Sequence, residues 1–225
     1  MEIIKPNVVF RDTEISLRSE LKDDKSNSVI LLGPGVLAKT HKFEEYKKKY
    51  ERVIVFNQAQ LNNGVNDPLT DVYLNYLKNA DEVWDYDEHN IEILSKIRND
   101  IKLHLLRPCK ELDAGDTKKD IDVLFYGLVN EHRKKILDEL KSKGVKVEIP
   151  LDVWGDRLNP YIARSKVCLN IHYYDKTALQ EQARMIRWIS TTNCNILSEK
   201  SRKNYMGVKE SEYENLVEEC IKLIS

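Results

Sequence analysis

The chain lacks any apolar run near the ~20 residues that a membrane-spanning helix needs, which excludes a helical membrane protein. It also lacks the charged and apolar regions of a signal peptide at its N-terminus, so a cytoplasmic protein is expected. Its four cysteines, Cys109, Cys168, Cys194 and Cys220, form no C-x-x-C pair. That spacing argues against structural zinc and against a disulfide framework, and for reduced, buried thiols. Glycine and proline are sparse, at 8 and 6 of 225 residues, and no low-complexity tract suggests a long linker. Neither a Gly-x-Gly-x-x-Gly fingerprint nor a P-loop occurs, which lowers the standing of a dinucleotide-binding or nucleotidyltransferase reading. A net charge of −1 excludes a globally basic nucleic-acid binder but leaves room for a local basic groove.

What the chain does have is alternation. Apolar runs predict strands at Asn7–Phe10, Val29–Gly33, Arg52–Asn57, Glu82–Asp85, Lys102–Leu106, Ile121–Tyr126, Lys146–Ile149, Val167–His172 and Cys194–Leu197. Amphipathic patterns between them predict helices at Phe43–Tyr50, Asp71–Lys78, Asn90–Arg98, Glu131–Lys143, Leu158–Arg164, Leu179–Thr191 and Ser211–Ile224. Continuous Val/Ile/Leu strands alternating with helices imply an α/β class with parallel sheets covered on both faces. The polar, aperiodic stretch 109–120 marks a domain boundary, giving lobes at 1–112 and 120–225. Each lobe is expected to be Rossmann-like, with ligand in a cleft between them at the carboxyl ends of the strands. The last helix is expected to pack back across the N-terminal lobe.

One stretch carries the most chemistry. The strand Asp122–Tyr126 ends in Gly127 and leads through Asn130 into a helix bearing Arg133. A glycine that admits a ligand, free N–H groups at a helix start and an arginine together read as a phosphate-binding unit. The plainer reading is a strand-to-helix glycine and an exposed helical arginine. Farther on, His172 and Tyr173 stand where a strand opens into a loop. Glu181 then falls on the first turn of a helix capped by Thr177, with Arg184 one turn later.

The C-terminal half resembles GT-B glycosyltransferases, particularly small bacterial and viral members. The matching residues are Gly127, Asn130, Arg133, Trp154-Gly155, Ser165-Lys166, Leu169-Asn170, His172, Glu181, Arg184 and Ser198-Glu199, across roughly residues 120–200. Weaker likenesses lie at Val55–Leu61 and Ala80–Asp87. Many retaining members carry two glutamates eight positions apart; the corresponding positions here fall near Leu179 and Arg187. The resemblance implies a compact GT-B fold and transfer of a sugar from a nucleoside-diphosphate sugar to an acceptor hydroxyl. Donor binding would fall to Gly127, Asn130, Arg133, His172, Tyr173, Glu181 and Arg184.

The N-terminal half would then receive the acceptor, through Gly33, Gly35, Asn57, Gln58 and Gln60, all of which end or follow predicted strands. Asp85, Asp87 and His89 follow another strand and are the candidate acids and bases for an inverting transfer. No cofactor beyond the donor is expected. Because Asp85-Tyr86-Asp87 lies in the acceptor half, catalysis is expected to need no metal. The acceptor is either a glycan or a hydroxymethylated DNA base of the kind phage enzymes decorate, which would place the protein in host cytoplasm. A non-catalytic nucleotide- or sugar-binding module of the same fold is the alternative.

Overall fold

The computed structural model describes residues 1–37, 39, 41–61 and 69–225. These form two compact units, Met1–Arg107 and Pro108–Ser225, each a mixed α/β layer built on its own parallel sheet. The stretch 109–120 belongs to the second unit. Its backbone is pinned there where Cys109 N–H donates to Ser190 Oγ (3.1 Å) and Ala114 N–H to Thr191 Oγ1 (3.1 Å).

In the first unit, β1 (Glu2–Ile4), β2 (Ser28–Leu32), β3 (Arg52–Asn57), β4 (Glu82–Asp85) and β5 (Lys102–Leu103) lie side by side in chain order, all parallel. That order has no reversal, and so no switch point of the kind a doubly wound sheet offers a ligand. The helices are α1 (Arg11–Glu20), α2 (Pro34–Leu37), α3 (Phe43–Lys49), α4 (Asp71–Asn79) and α5 (Glu88–Leu94). Alternate strand residues Val29, Leu31, Val53, Val55 and Val83 meet Leu37, Phe43, Tyr46, Tyr76, Leu77 and Leu94 from α2 to α5 in one core. The period-two alternation of a strand puts those residues on one face, and burying them is the main stabilisation of the unit.

Several elements differ from the sequence reading, which contains neither β1 nor the short α2. Val8–Phe10 is a 3₁₀ turn, not a strand, because Asn7 caps it by accepting from the Val9 N–H and no strand pairs with it. Helix α1 was not foreseen, since it buries Thr13 and Ser16 beside Leu17 and therefore shows little apolar periodicity.

The second unit is wound differently. Strands β6 (Ile121–Leu124), β7 (Val147–Glu148), β8 (Ser165–Asn170), β9 (Asn195–Glu199) and β10 (Lys209–Ser211) run parallel in the order β10-β9-β8-β6-β7. Helix α6 (Glu131–Ser142) and α9 (Leu216–Ile224) cover one face through Ile136, Leu137, Leu140, Leu216, Val217 and Cys220. Helix α7 (Asn159–Arg164) and α8 (Gln182–Ser190) cover the other through Ile162, Met185 and Trp188. Strand order therefore reverses between β6 and β8, which is where an open α/β sheet leaves a crevice. The last helix, expected on the N-terminal lobe, instead buries its apolar face in the core of this unit.

Among the described residues no helix is long and apolar enough to cross a membrane. The four cysteines are free, with Cys168 and Cys220 buried.

Candidate functional site

The segments that follow β6 and β8, on either side of the strand-order reversal, bring a buried set of charged groups together. Asn130 caps α6 by accepting from the Arg133 N–H (3.0 Å), and its Nδ2 donates to the Tyr173 carbonyl (2.9 Å). Both ends of one amide thus tie the two loops together. The cap places Arg133 on the first turn of α6, with its side chain 1% exposed. Its Nη1 donates to the Leu128 carbonyl (2.7 Å), Nε to the Ile171 carbonyl (2.9 Å) and Nη2 to Glu181 Oε1 (2.9 Å). The guanidinium also lies over the rings of Phe125 and Tyr173. Arg133 and Glu181 do converge, but Arg133 is engaged by protein acceptors on all three nitrogens. The guanidinium read from the sequence as a phosphate fork, or more plainly as an exposed helical arginine, is therefore buried and occupied by the protein's own acceptors.

Glu181 is the hub. It lies just before α8 and not on its first turn, because Ala178 at φ 44° turns the chain out of helical geometry and delays the helix to Gln182. Thr177, expected to cap this helix, donates its hydroxyl to the Tyr174 carbonyl (3.3 Å). Besides Arg133, Glu181 meets Arg184 Nη1 at 3.6 Å and His172 Nδ1 at 3.4 Å. Burial alone would raise the Glu181 carboxyl, but the charges of Arg184, His172 and Arg133 outweigh it and hold the group at about 2. Burial likewise opposes the charged form of His172, and Glu181 overcomes it, so the imidazole is shifted upward. Burial and the neighbouring Arg184 lower Arg133 to about 10. Glu181 Oε2 and His172 Nδ1 face one another without a formed hydrogen bond.

Arg184, 17% exposed, is the guanidinium in this set with most access to solvent, and its Nη1 donates to Asn170 Oδ1 (3.1 Å). Gly127 makes room for it. A Cβ at Gly127, where φ is 127°, would stand 2.9 Å from Arg184 Nη2. Glu199, which closes β9, was read only as part of a motif and proves central. Its Oε2 accepts the His172 N–H (2.8 Å), and its Oε1 lies 3.0 Å from His132 Nε2. An acidic residue at the carboxyl end of a parallel strand was the signal that could have marked it. Arg187, at the position of a glutamate in many retaining relatives of the resembled family, is fully buried and donates to Asn159 Oδ1 (2.6 Å).

The first unit separates its predicted residues into two groups. Asp85 is buried and accepts from Asn57 Nδ2 (2.5 Å), the Asp87 N–H (3.0 Å) and Asn90 Nδ2 (3.1 Å). Burial pushes its carboxyl up to about 7 against the pull of those donors. Asn57 is just as occupied, since its Oδ1 accepts from the Tyr73 hydroxyl and the Ala59 N–H. Asp87 Oδ1 caps α5 by accepting from the His89 N–H (2.8 Å). These groups organise the ends of β3 and β4: Asp85 and Asn57, expected as an acid or base and as an acceptor contact, are buried among protein partners, and Asp87, the other expected acid or base, commits one carboxylate oxygen to the α5 cap. His89 sits on the first turn of α5, half-buried.

Gly33, Gly35 and Gln58 come together around a cavity of about 610 Å³ beyond the carboxyl ends of β2 and β3. Gln60 is half-buried and does not line it. A second Asp-x-Asp, Asp120-Ile121-Asp122, opens β6 at the far end of its sheet, where Arg164 and Lys166 pair with it. Among the described residues no cluster of three or more histidine, cysteine or acidic side chains is arranged to hold a metal.

Comparison with known proteins yields a viral group without assigned activity. The chain is 30% identical over 198 residues to uncharacterized protein L140 of Acanthamoeba polyphaga mimivirus, covering 81% of this chain and 62% of that protein. It is 31% identical over 142 residues to uncharacterized protein L138 of the same virus, covering 63% of this chain and 13% of L138. A third mimivirus protein, uncharacterized protein L137, is 28% identical over 167 residues, 65% of this chain and 23% of that protein. The chain thus spans under two thirds of the length of each. No family model matches it.

Proposed function

We propose that this chain is a glycosyltransferase that binds a nucleoside-diphosphate sugar through its second unit and moves the sugar to an acceptor hydroxyl, the two units forming a compact GT-B arrangement. The observation that carries this reading is the convergence of Arg133, Arg184 and His172 on Glu181, beside the β6/β8 reversal. A carboxylate held ionised by two arginines and a histidine is a strong acceptor for vicinal hydroxyls of a ribose or sugar. Glu181 Oε2 is buried without a hydrogen bond of its own and faces His172 Nδ1, so a small shift of that imidazole would free it for such a hydroxyl. Arg184, which Gly127 lets close to the backbone, suits a diphosphate, and a cation there offsets the charge that grows on the departing phosphate.

The engagement of Asp85 and Asp87 bears on stereochemistry. With Asp85 buried beneath three donors and Asp87 Oδ1 committed to the α5 cap, the reading favours a route in which an oxygen of the leaving diphosphate takes the acceptor proton as the new glycosidic bond forms. The same engagement favours the rival reading, a nucleotide-sugar-binding module without catalysis. A thermal-shift panel of UDP-, GDP-, dTDP- and CMP-sugars, followed by transfer assays on glycan and hydroxymethylcytosine-DNA acceptors, separates the two. Transferase activity should appear with one donor and fall at least a hundredfold in Arg184→Ala and Glu181→Gln. Donor binding without hydrolysis or transfer supports the module, and no binding to any donor overturns both.

A further inference from the structure

The cavity of the first unit is walled by Phe10, Pro34, Val36, Ala59, Val72 and Tyr73. Two of these are aromatic, and the two glycines let them in. At Gly33, where φ is +59°, a Cβ would stand 2.4 Å from the Phe10 ring; at Gly35 it would stand 3.5 Å from the Tyr73 ring. Tyr73 is fixed, because its hydroxyl donates to the buried Asn57. Val36 and Val72 are 42% and 51% exposed, so the cavity opens through an apolar rim. Polar side chains are few: Lys39, exposed at the mouth, Thr70 and Gln58. Thr70 Oγ1 is occupied in capping α4, where it accepts the Tyr73 N–H. Gln58 Nε2 donates to Thr13 Oγ1 (2.7 Å), while its Oε1 is buried and has no hydrogen-bond partner among the described residues.

We propose that this cavity is a subsite for a flat aromatic or heteroaromatic ring bearing an N–H or O–H donor on its edge, with Gln58 receiving that donor. The volume suits one ring with its substituents. Aromatic walls favour a planar ring, and an orphaned buried acceptor calls for a donor that an alkyl chain lacks. A free sugar fits poorly, since most of its hydroxyls would be buried against apolar walls without partners. As the acceptor subsite of a transferase the cavity rests on the function proposed above and narrows the acceptor to a ring-bearing class. Ring binding itself does not depend on that function.

The test is ligand-observed NMR on the full chain with phenol, anisole, hydroxymethylcytosine nucleoside, a single-stranded oligonucleotide carrying that base, and maltose. Saturable binding of phenol or the nucleoside, with anisole about tenfold weaker and maltose silent, is the expected result. Preference for the oligonucleotide over the nucleoside assigns the ring to a nucleic-acid base, and the reverse assigns it to a free small molecule. Gly35→Leu, which fills the cavity at a backbone free of positive φ, should abolish binding. Gln58→Met should remove the preference for phenol over anisole. Maltose binding as well as phenol, or ring binding that survives Gly35→Leu in a folded variant, overturns the inference. Donor binding without ring binding refutes only this subsite, whereas ring binding without donor binding refutes only the transferase reading.

Discussion

Removing the Glu181 carboxylate tests the architecture of the second unit most sharply. In Glu181→Ala, Arg133 keeps its two carbonyl acceptors but loses its counter-charge while 1% exposed. Breaking one side of such a buried pair costs about 3–5 kcal/mol, because the remaining charge stays buried and uncompensated. With a urea dependence of about 1–3 kcal/mol per molar, the midpoint should fall by about 2 M. Trp154 and Trp188 report on this unit and Trp84 on the other, so fluorescence in a Trp84→Phe background isolates the transition. Pairing the change with Arg133→Met should recover at least about 1 kcal/mol relative to the sum of the single losses. The pH profile supplies a second reading. A carboxyl lowered from 4.5 to about 2 contributes stability above pH 4.5 and loses it as pH falls toward 2, so that acid slope should shrink in the variant. His172, shifted upward, contributes below its unfolded value and loses that contribution as pH rises through its folded one. A single loss under about 1 kcal/mol, or strict additivity in the double variant, refutes the account of a coupled buried hub.

The first unit should show the opposite acid response at Asp85. Its carboxyl is raised from 3.8 to about 7, so its contribution is full below pH 3.8 and is lost, by about 4 kcal/mol, as pH rises to 7. Urea unfolding followed by Trp84 should show that slope, and Asp85→Asn should flatten it. Gly33→Ala should destabilise the same unit by about 1–3 kcal/mol, since it adds a Cβ 2.4 Å from the Phe10 ring at positive φ; Gly35→Ala should cost less than 1 kcal/mol by the same assay. Ala178→Gly should stabilise the second unit by about 1 kcal/mol in thermal unfolding, because glycine adopts φ 44° without the clash of a Cβ.

Strand-forming runs and their alternation with helices were legible because period-two and period-3.6 patterns are local properties of the chain. Arg52–Asn57 and Glu82–Asp85 coincide with the observed strands for that reason. Helix α1 escaped because it buries hydroxyls more than hydrocarbon, and Lys209–Ser211 because a charged edge strand carries no apolar signal. The residue types around Gly127, His172 and Glu181 were legible as a group, since each follows an apolar strand-forming run, here β6 or β8. Their roles were not. Whether an arginine meets a ligand or a neighbouring carbonyl depends on residues 38 and 48 positions away, and Arg133 meets Ile171 and Glu181. Burial of Asp85 beneath Asn57, 28 positions away, is likewise a long-range fact. Local sequence determined which elements form and which chemical groups they carry to the sheet ends. Tertiary packing alone decided which of those groups are sealed into the protein and which keep a free face, because burial and hydrogen-bond satisfaction are set by distant parts of the chain.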